Sequence, residues 1–492
     1  MQKEMTKKKT GKGQSLMSKK PNILILMADQ MQARVLDHDH VCQTPYLDRL
    51  GTEGIRFTRA YTPNNICSPT RASIMTGLMP HNHGVLEVLY PTPDLHVLRN
   101  DKPHFAQRLA ETGYRTGYFG KWHVERTNEL NQFGWQVDGG EKNQFYRNLA
   151  KEFNASKTEF DPAVYVEEPY GYGPHLFCGV TDRPANERAM GLTTNLALNY
   201  LQDAVNQADP WCCFVSFQEP HDPYVTDHRH YDYYAKKTVQ PPPNANDDLE
   251  DRPALYRRAQ GIWRQLSQEQ KNEARVCYFS SITELDAQFG RLLDFLEEKE
   301  KLSETIVIMC ADHGDLLGAH GLFFKDISAF EEIFQVPLII KGPGIAQNSI
   351  CEGRVGLHDL CPTILELAGC ETIGTPDSRS FIELLRNPNS IDVEWTRGYA
   401  EYYGNRHRLT QRVVWEGDWK FVFNGFDFDE LYNLAEDPFE MKNLAPDPAY
   451  REQHIKMMQL YWRYAKETED EPLVRTLYPA LRLGIVGPLS ED

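Results

Sequence analysis

The sequence predicts an α/β fold: a mostly parallel sheet flanked by helices, then a smaller C-terminal antiparallel sheet with a final helix. Two observations predict it. Continuous apolar runs at residues 22–28, 211–217 and 305–311 alternate with stretches of helical periodicity, the pattern of strands buried on both faces of a parallel sheet. Past a Gly/Pro/Asn-rich stretch between Gly369 and Asn389, residues 398–403, 410–415, 419–423 and 430–432 read as short alternating strands, and residues 450–468 as a helix. The 492 residues suffice for one large α/β domain with an appendage. The expected division is a basic, disordered tail over 1–20, a large domain over 21–385, and a small α+β unit with a terminal arm over 386–492.

Composition narrows the function classes. The formal net charge of −17 argues against nucleic acid as a partner, because a phosphate backbone wants a basic face. A small anionic substrate remains compatible, since a local basic cluster can oppose the global charge. Ten cysteines without framework or Cys-x-x-Cys spacing read as reduced core thiols. The first twenty residues are Lys-rich and carry no apolar signal region, and no apolar run is long enough to span a membrane. The expectation is a cytoplasmic protein with no membrane partner.

In chain order, the run 22–28 ends in Asp29-Gln30. Thr44-Pro45 opens a helix through Leu50, and 55–61 reads as a second strand. Asn64 to Cys67 then leads into a helix containing Cys67-Ser68-Pro69-Thr70-Arg71 and closing near Thr76-Gly77. Pro69 suits a first helical turn, and Cys67 would sit where backbone dipoles favour an anion. Residues 105–112 are helical, and strand 114–119 ends at Gly120-Lys121-Trp122-His123. Residues 127–184 lack periodicity and read as an irregular excursion over the substrate face. Helix 186–207 precedes strand 211–217, which delivers Glu219-Pro220-His221-Asp222-Pro223-Tyr224. Pro241-Pro242-Pro243 forms a stiff surface loop. Residues 267–299 form a long amphipathic helix. Strand 305–311 ends in Asp312-His313-Gly314-Asp315, and a strand at 336–340 and a helix at 359–368 follow.

Four apolar runs thus end in polar groups: Asp29-Gln30, Lys121 with His123, His221-Asp222 and Asp312-His313. Parallel strands deliver their carboxyl ends to one edge, where open α/β sheets bind ligands. Together with Cys67 and Arg71, the four endings point to one convergent site.

These segments resemble the formylglycine-dependent sulfatases of the alkaline-phosphatase-like superfamily. The resemblance rests on Asp29-Gln30, Cys67 to Arg71 with Thr76-Gly77, Gly120 to His123, Pro220 to Tyr224, and Asp312 to Gly314 with Gly318, His320 and Lys325. Glu430 to Tyr432, Asp437-Pro438, Glu440 and Asn443-Leu444 extend it into the small domain. It implies a large α/β/α sandwich. It also implies that a formylglycine-generating or sulfatase-maturating enzyme oxidises Cys67 to formylglycine. One hydroxyl of the hydrated aldehyde would attack sulfur, and the other would expel sulfate from the sulfated intermediate.

The resemblance further implies one divalent metal held by Asp29, Gln30, Asp312, His313 and the group derived from Cys67. An oxygen-rich set favours Ca²⁺, while the imidazole also admits Mn²⁺, and Mg²⁺ is allowed. Many relatives carry a second Asp at the Gln30 position and Asn at the His313 position. Arg71 would hold the diol and balance its charge, Lys121 and Lys325 would bind sulfate oxygens, His123 would act as base and His221 as acid. Lys325 also reads as a strand edge. His320 and Asp315 read as supporting groups, and His81 and His83 as structural. Asp222 and Tyr224 either face substrate or shape the Pro-rich turn. Glu401, Tyr402, Tyr403, Asn405, Arg406 and His407 are candidates to reach the site from the small domain.

The expected activity is hydrolysis of an organic sulfate ester, a sulfated carbohydrate or an aryl or alkyl sulfate, with a small sulfated substrate as partner. Choline sulfatase, and phosphonate monoester or phosphodiester hydrolase, are the alternatives. A homo-oligomer is compatible with the sequence.

Overall fold

The computed structural model describes residues 20–88, 98–99, 102–126, 129–153, 159–167, 173–325, 327–405, 409–470 and 484–488. Its main sheet has eight strands in the order Ser349–Cys351, Ile55–Phe57, Leu338–Lys341, Thr305–Ala311, Asn22–Asp29, Trp211–Pro220, Arg115–Gly120, Val137–Gly140. The Asn22–Asp29 strand is buried along its whole length and pairs in parallel with Thr305–Ala311 and Trp211–Pro220. Alternate residues of this strand feed two cores. Leu24, Leu26 and Ala28 face one that includes helices Ala189–Ala204 and Gln268–Glu298. Ile23, Ile25 and Met27 face another that includes Cys67–Thr76, Phe105–Glu111 and Leu360–Leu367. A period-2 side-chain alternation between two apolar layers is what makes an α/β/α sandwich.

Register sets the site. Ala28 pairs with Ala311, Met27 with Ser216, and Ser216 with Gly120. Asp29, Asp312, Lys121 and the segment leading to His221 therefore leave the sheet at one edge. Gly120 has φ 89°, and a Cβ there would lie 2.0 Å from the Ser216 carbonyl oxygen. The turn that re-aims Lys121 thus needs glycine.

Two expectations need correction. Residues 55–61 are not one strand: Ile55–Phe57 joins the main sheet, and Ala60–Tyr61 pairs with Val355–Gly356. Residues 127–184 are not an irregular excursion. They supply the edge strand Val137–Gly140, the helix Gln144–Phe153, and the strands Ala163–Val166 and His175–Thr181, which make a three-stranded sheet with Tyr224–Asp227. The edge strand escapes a propensity reading because it holds Gly139 and Gly140. A Cβ on Gly139 would lie 2.3 Å from Phe119 Cδ1, so close packing on that ring excludes a side chain.

The C-terminal sheet runs antiparallel through Arg397–Tyr402, Gln411–Glu416, Trp419–Asn424 and Glu430–Asn433. Phe421 and Phe423 pack with Met457 and Tyr461 of helix Arg451–Glu467. Ala400, Val413, Trp415 and Val422 join the first main core, so the small sheet shares apolar packing with the large one. All ten cysteines are free thiols. Among the described residues no helix is long and apolar enough to cross a membrane.

Candidate active site at the carboxyl edge of the sheet

Cys67 is the first residue of helix Cys67–Thr76, which is buried throughout. The chain enters it under tight control. Asn64 Oδ1 accepts from the Ile66 amide at 2.9 Å, and the Asn64 carbonyl accepts from Thr62 Oγ1 at 2.6 Å and Thr70 Oγ1 at 2.5 Å. Arg71 lies one turn further on, the spacing that shares a helix face with Cys67.

Four chain segments converge on the Cys67 sulfur. Lys325 Nζ is at 3.0 Å, His313 Nε2 at 3.2 Å, Asp29 Oδ1 at 3.8 Å and Lys121 Nζ at 4.0 Å. His123 lies within hydrogen-bonding reach of the same atom, and its Nδ1 is buried without a partner. Burial pushes the Cys67 thiol up, but the Lys121 and Lys325 ammoniums outweigh it and hold the thiol well below its ordinary value. The pocket is thus built to stabilise negative charge at this atom.

Two carboxylates complete the cluster. Burial and the Cys67 charge push the Asp29 carboxyl up; the Lys121 and Arg71 cations overcome both and hold it well below the usual range. Asp29 Oδ2 takes Arg71 Nη2 at 2.7 Å and Lys121 Nζ at 2.5 Å. Asp312 Oδ2 takes Arg71 Nε at 2.8 Å. The two Oδ1 atoms turn toward His313 Nε2, at 3.7 and 3.8 Å. The His313 Nδ1 lies 2.9 Å from the Gly314 carbonyl oxygen. A carbonyl only accepts, so Nδ1 carries the hydrogen and Nε2 presents its lone pair to the cluster.

This arrangement fits a divalent cation. Asp29, Cys67, Asp312 and His313 each offer one ligand atom, all within 4.8 Å of one another. Gln30 belongs beside them. Its Nε2 donates to Asp315 Oδ2 at 2.6 Å and Asp222 Oδ1 at 3.2 Å, which turns Oε1 inward, 3.4 Å from Lys325 Nζ. Two carboxylates, an amide oxygen and one imidazole make an oxygen-rich donor set.

His221 Nδ1 lies 2.8 Å from the Asp222 carbonyl oxygen, and its Nε2 accepts from Lys325 Nζ at 2.8 Å. Burial and Lys325 push this imidazole down, and the Asp222 and Asp29 carboxylates more than compensate, leaving its pKa raised.

Arg71 has partners that the sequence did not indicate. Besides the two aspartates, its Nη1 donates to Ser216 Oγ at 2.7 Å and the Lys121 carbonyl at 3.0 Å. Its hydrogen bonds brace the carboxylates rather than Cys67, to which it contributes charge alone. Lys325 is no strand edge; it joins Cys67, His221 and Gln30. Asp222 and Tyr224 support the cluster: Asp222 holds Gln30, and the Tyr224 hydroxyl donates to Asp315 at 2.6 Å. His320 belongs elsewhere, bonded to Asp247 at 2.6 Å and Asn244 at 2.9 Å. His81 is tied to Glu401 and the Thr468 carbonyl, and His83 to Ser73, so neither histidine nor Glu401 reaches Cys67. Tyr403 accepts from Arg412. Arg406 and His407 lie outside the described residues.

Sequence reasoning missed Ser216 and Tyr278. Ser216 is a polar residue inside an apolar strand, a signal that was present. Tyr278 donates to the Gln30 carbonyl at 2.7 Å from mid-helix, where nothing distinguishes it from a core aromatic.

The fold and this cluster define a class: an α/β protein whose sheet edge gathers cations around a buried cysteine, beside side chains that could hold a metal ion. The chain belongs to the sulfatase family. The family profile described as "Sulfatase" matches residues 21–370, and that described as "N-sulphoglucosamine sulphohydrolase, C-terminal" matches residues 318–467. The chain is 28% identical to a choline-sulfatase of Rhizobium meliloti, over 95% of this chain and 93% of the relative. It is 25% identical to an N-acetylglucosamine-6-O-sulfatase of Bacteroides thetaiotaomicron, over 92% and 88%. A solved phosphonate monoester hydrolase of Silicibacter pomeroyi shares the fold with a TM-score of 0.75 at 22% identity, over 92% and 96% of the two chains. Members of the family are sulfuric ester hydrolases, and this chain is an enzyme of that kind.

Proposed function

We propose that the chain hydrolyses an organic sulfate ester to an alcohol and inorganic sulfate, using a formylglycine made from Cys67 and one divalent metal, Ca²⁺. The observation that carries this reading is the convergence of two ammoniums and two imidazoles on the buried Cys67 sulfur. Formylglycine, once formed, supplies a hydrated aldehyde as nucleophile. The metal would be held by Asp29, Gln30, Asp312 and His313 and would polarise a sulfate oxygen.

The chain's own residues do the rest. Lys121 and Lys325 bind the sulfate oxygens and stabilise charge that moves onto them. Arg71 holds the Oδ2 atoms of Asp29 and Asp312, which leaves their Oδ1 atoms aimed inward. His221 delivers the proton to the departing alkoxide oxygen through Nε2, which takes up that proton once Lys325 turns from it to the sulfate oxygens; the Nδ1 hydrogen bond to the Asp222 carbonyl fixes the ring. His123, held neutral because burial pushes its pKa down, accepts a proton from the nucleophile's side.

Release of sulfate from 4-nitrophenyl sulfate tests the reading, and Cys67→Ala should abolish it. Turnover retained in that variant would overturn the assigned nucleophile. A second reading, phosphonate monoester or phosphodiester hydrolysis at the same centre, draws on a 27% identical relative described as a multifunctional alkaline phosphatase superfamily protein. Preference for a phenylphosphonate ester over the aryl sulfate would select it. Choline sulfate is the third substrate to compare, from the choline-sulfatase likeness.

A further inference from the structure

A cavity of about 490 Å³ lies behind Asp315. Gln32 and Leu317 line it, and they bind the Asp315 carbonyl at 2.5 Å and its carboxylate at 2.7 Å. Pro241, Pro242, Pro243 and Phe279 give it an apolar wall. Arg275 enters it from helix Gln268–Glu298.

Arg275 is 5% exposed, and its Nε is buried with no hydrogen-bond partner. No carboxylate among the described residues pairs with it. Its Nη1 packs toward Gly318, where a Cβ would lie 3.4 Å away. Burial pushes the guanidinium down. After burial, the Arg275 charge helps push down Lys271, one turn earlier on the same helix. A chain seldom buries a guanidinium without a counter-charge, because desolvation then goes uncompensated. Glu332 borders the same cavity, but its Oε1 is engaged by Asn244 Nδ2 at 2.9 Å and it makes no ion pair with Arg275.

We propose that this cavity binds a small organic anion with an apolar body, its anionic head on Arg275 and its body against Pro241–Pro243 and Phe279, at a site separate from the Cys67 cluster. The ligand supplies the counter-charge that the chain omits. Glu332, Asp37 and Asp39, which line the cavity together with Arg34, set a limit on affinity through their opposing charge. The inference is independent of the catalytic reading.

Titration calorimetry of the full chain with benzoate tests it. Saturable binding is expected in the wild type. Arg275→Met should weaken it by about 10- to 100-fold, the worth of a hydrogen-bonded charge. Glu332→Gln, at a carboxylate with an unpartnered Oε2, should tighten it. Lys325→Met, in the catalytic cluster, should leave it unchanged. Should Arg275→Met fail to fold, Glu332→Gln decides. The proposal is overturned by absent saturable binding in the wild type, by unaltered affinity in Glu332→Gln, or by loss of binding in Lys325→Met.

Discussion

The Lys325 ammonium sits 3.0 Å from the Cys67 sulfur, although 258 residues separate them in sequence. Its other contacts, His221 Nε2 and Gln30 Oε1, make it a cation that joins the nucleophile position, the proposed acid and a proposed metal ligand. Removing it should hurt the transition state more than substrate binding. Lys325→Ala is expected to lower kcat by about 10²- to 10³-fold, the usual loss for one preorganised charge stabiliser, while the fold persists. Steady-state kinetics on 4-nitrophenyl sulfate check this. A change confined to KM would make Lys325 a binding residue alone.

Arg71 should behave differently. It is fully buried and holds Asp29 and Asp312 through separate nitrogens. Arg71→Met leaves two buried carboxylates short of their partner and should cost about 3–5 kcal/mol of folding stability. Denaturant unfolding measures it. An unchanged midpoint with lost activity would show that Arg71 serves the reaction rather than the framework.

Metal removal gives a third expectation. Dialysis against a chelator should abolish turnover, and Ca²⁺ should restore it, with about one ion bound per chain. His313→Ala removes the nitrogen that points into the donor cage and should weaken metal retention, read by elemental analysis. Full activity after complete metal removal contradicts the assigned cage.

His81 links the segment after the Cys67 helix to the small sheet through Glu401. Burial pushes its imidazole down, but the Glu401 carboxylate overrides this and raises it to about 9 from the ordinary 6.5. A folded-state value above the unfolded one contributes stability in full below pH 6.5 and loses it as pH rises through about 9. The wild-type melting temperature should therefore fall across that window. His81→Gln should melt lower in mildly acidic buffer and show a flatter profile. Parallel profiles for the two proteins would remove His81 from the account.

Much of this was legible in the sequence because the strands are long, apolar and end in phase. Asp29, Asp312 and Lys121 could be placed from that pattern, and Cys67 with Arg71 from helical spacing. The glycine-rich edge strand Val137–Gly140 was not legible, since its role depends on fitting Phe119 rather than on its own propensity. Lys325 was ambiguous for a related reason: only tertiary packing carries the loop after Asp312 back over the sheet edge. The hydrogen bonds of Arg71 were not legible, because helical spacing reveals a shared face while the acceptors it holds come from distant strands.

The most direct test is the mass of the tryptic peptide spanning Ala60 to Arg71, from protein made in its native host. The account predicts a loss of about 18 Da relative to the encoded cysteine, the signature of a thiol converted to an aldehyde. An unmodified Cys67 in fully active protein would contradict it, and the nucleophile would then have to be the thiolate itself or a metal-activated water.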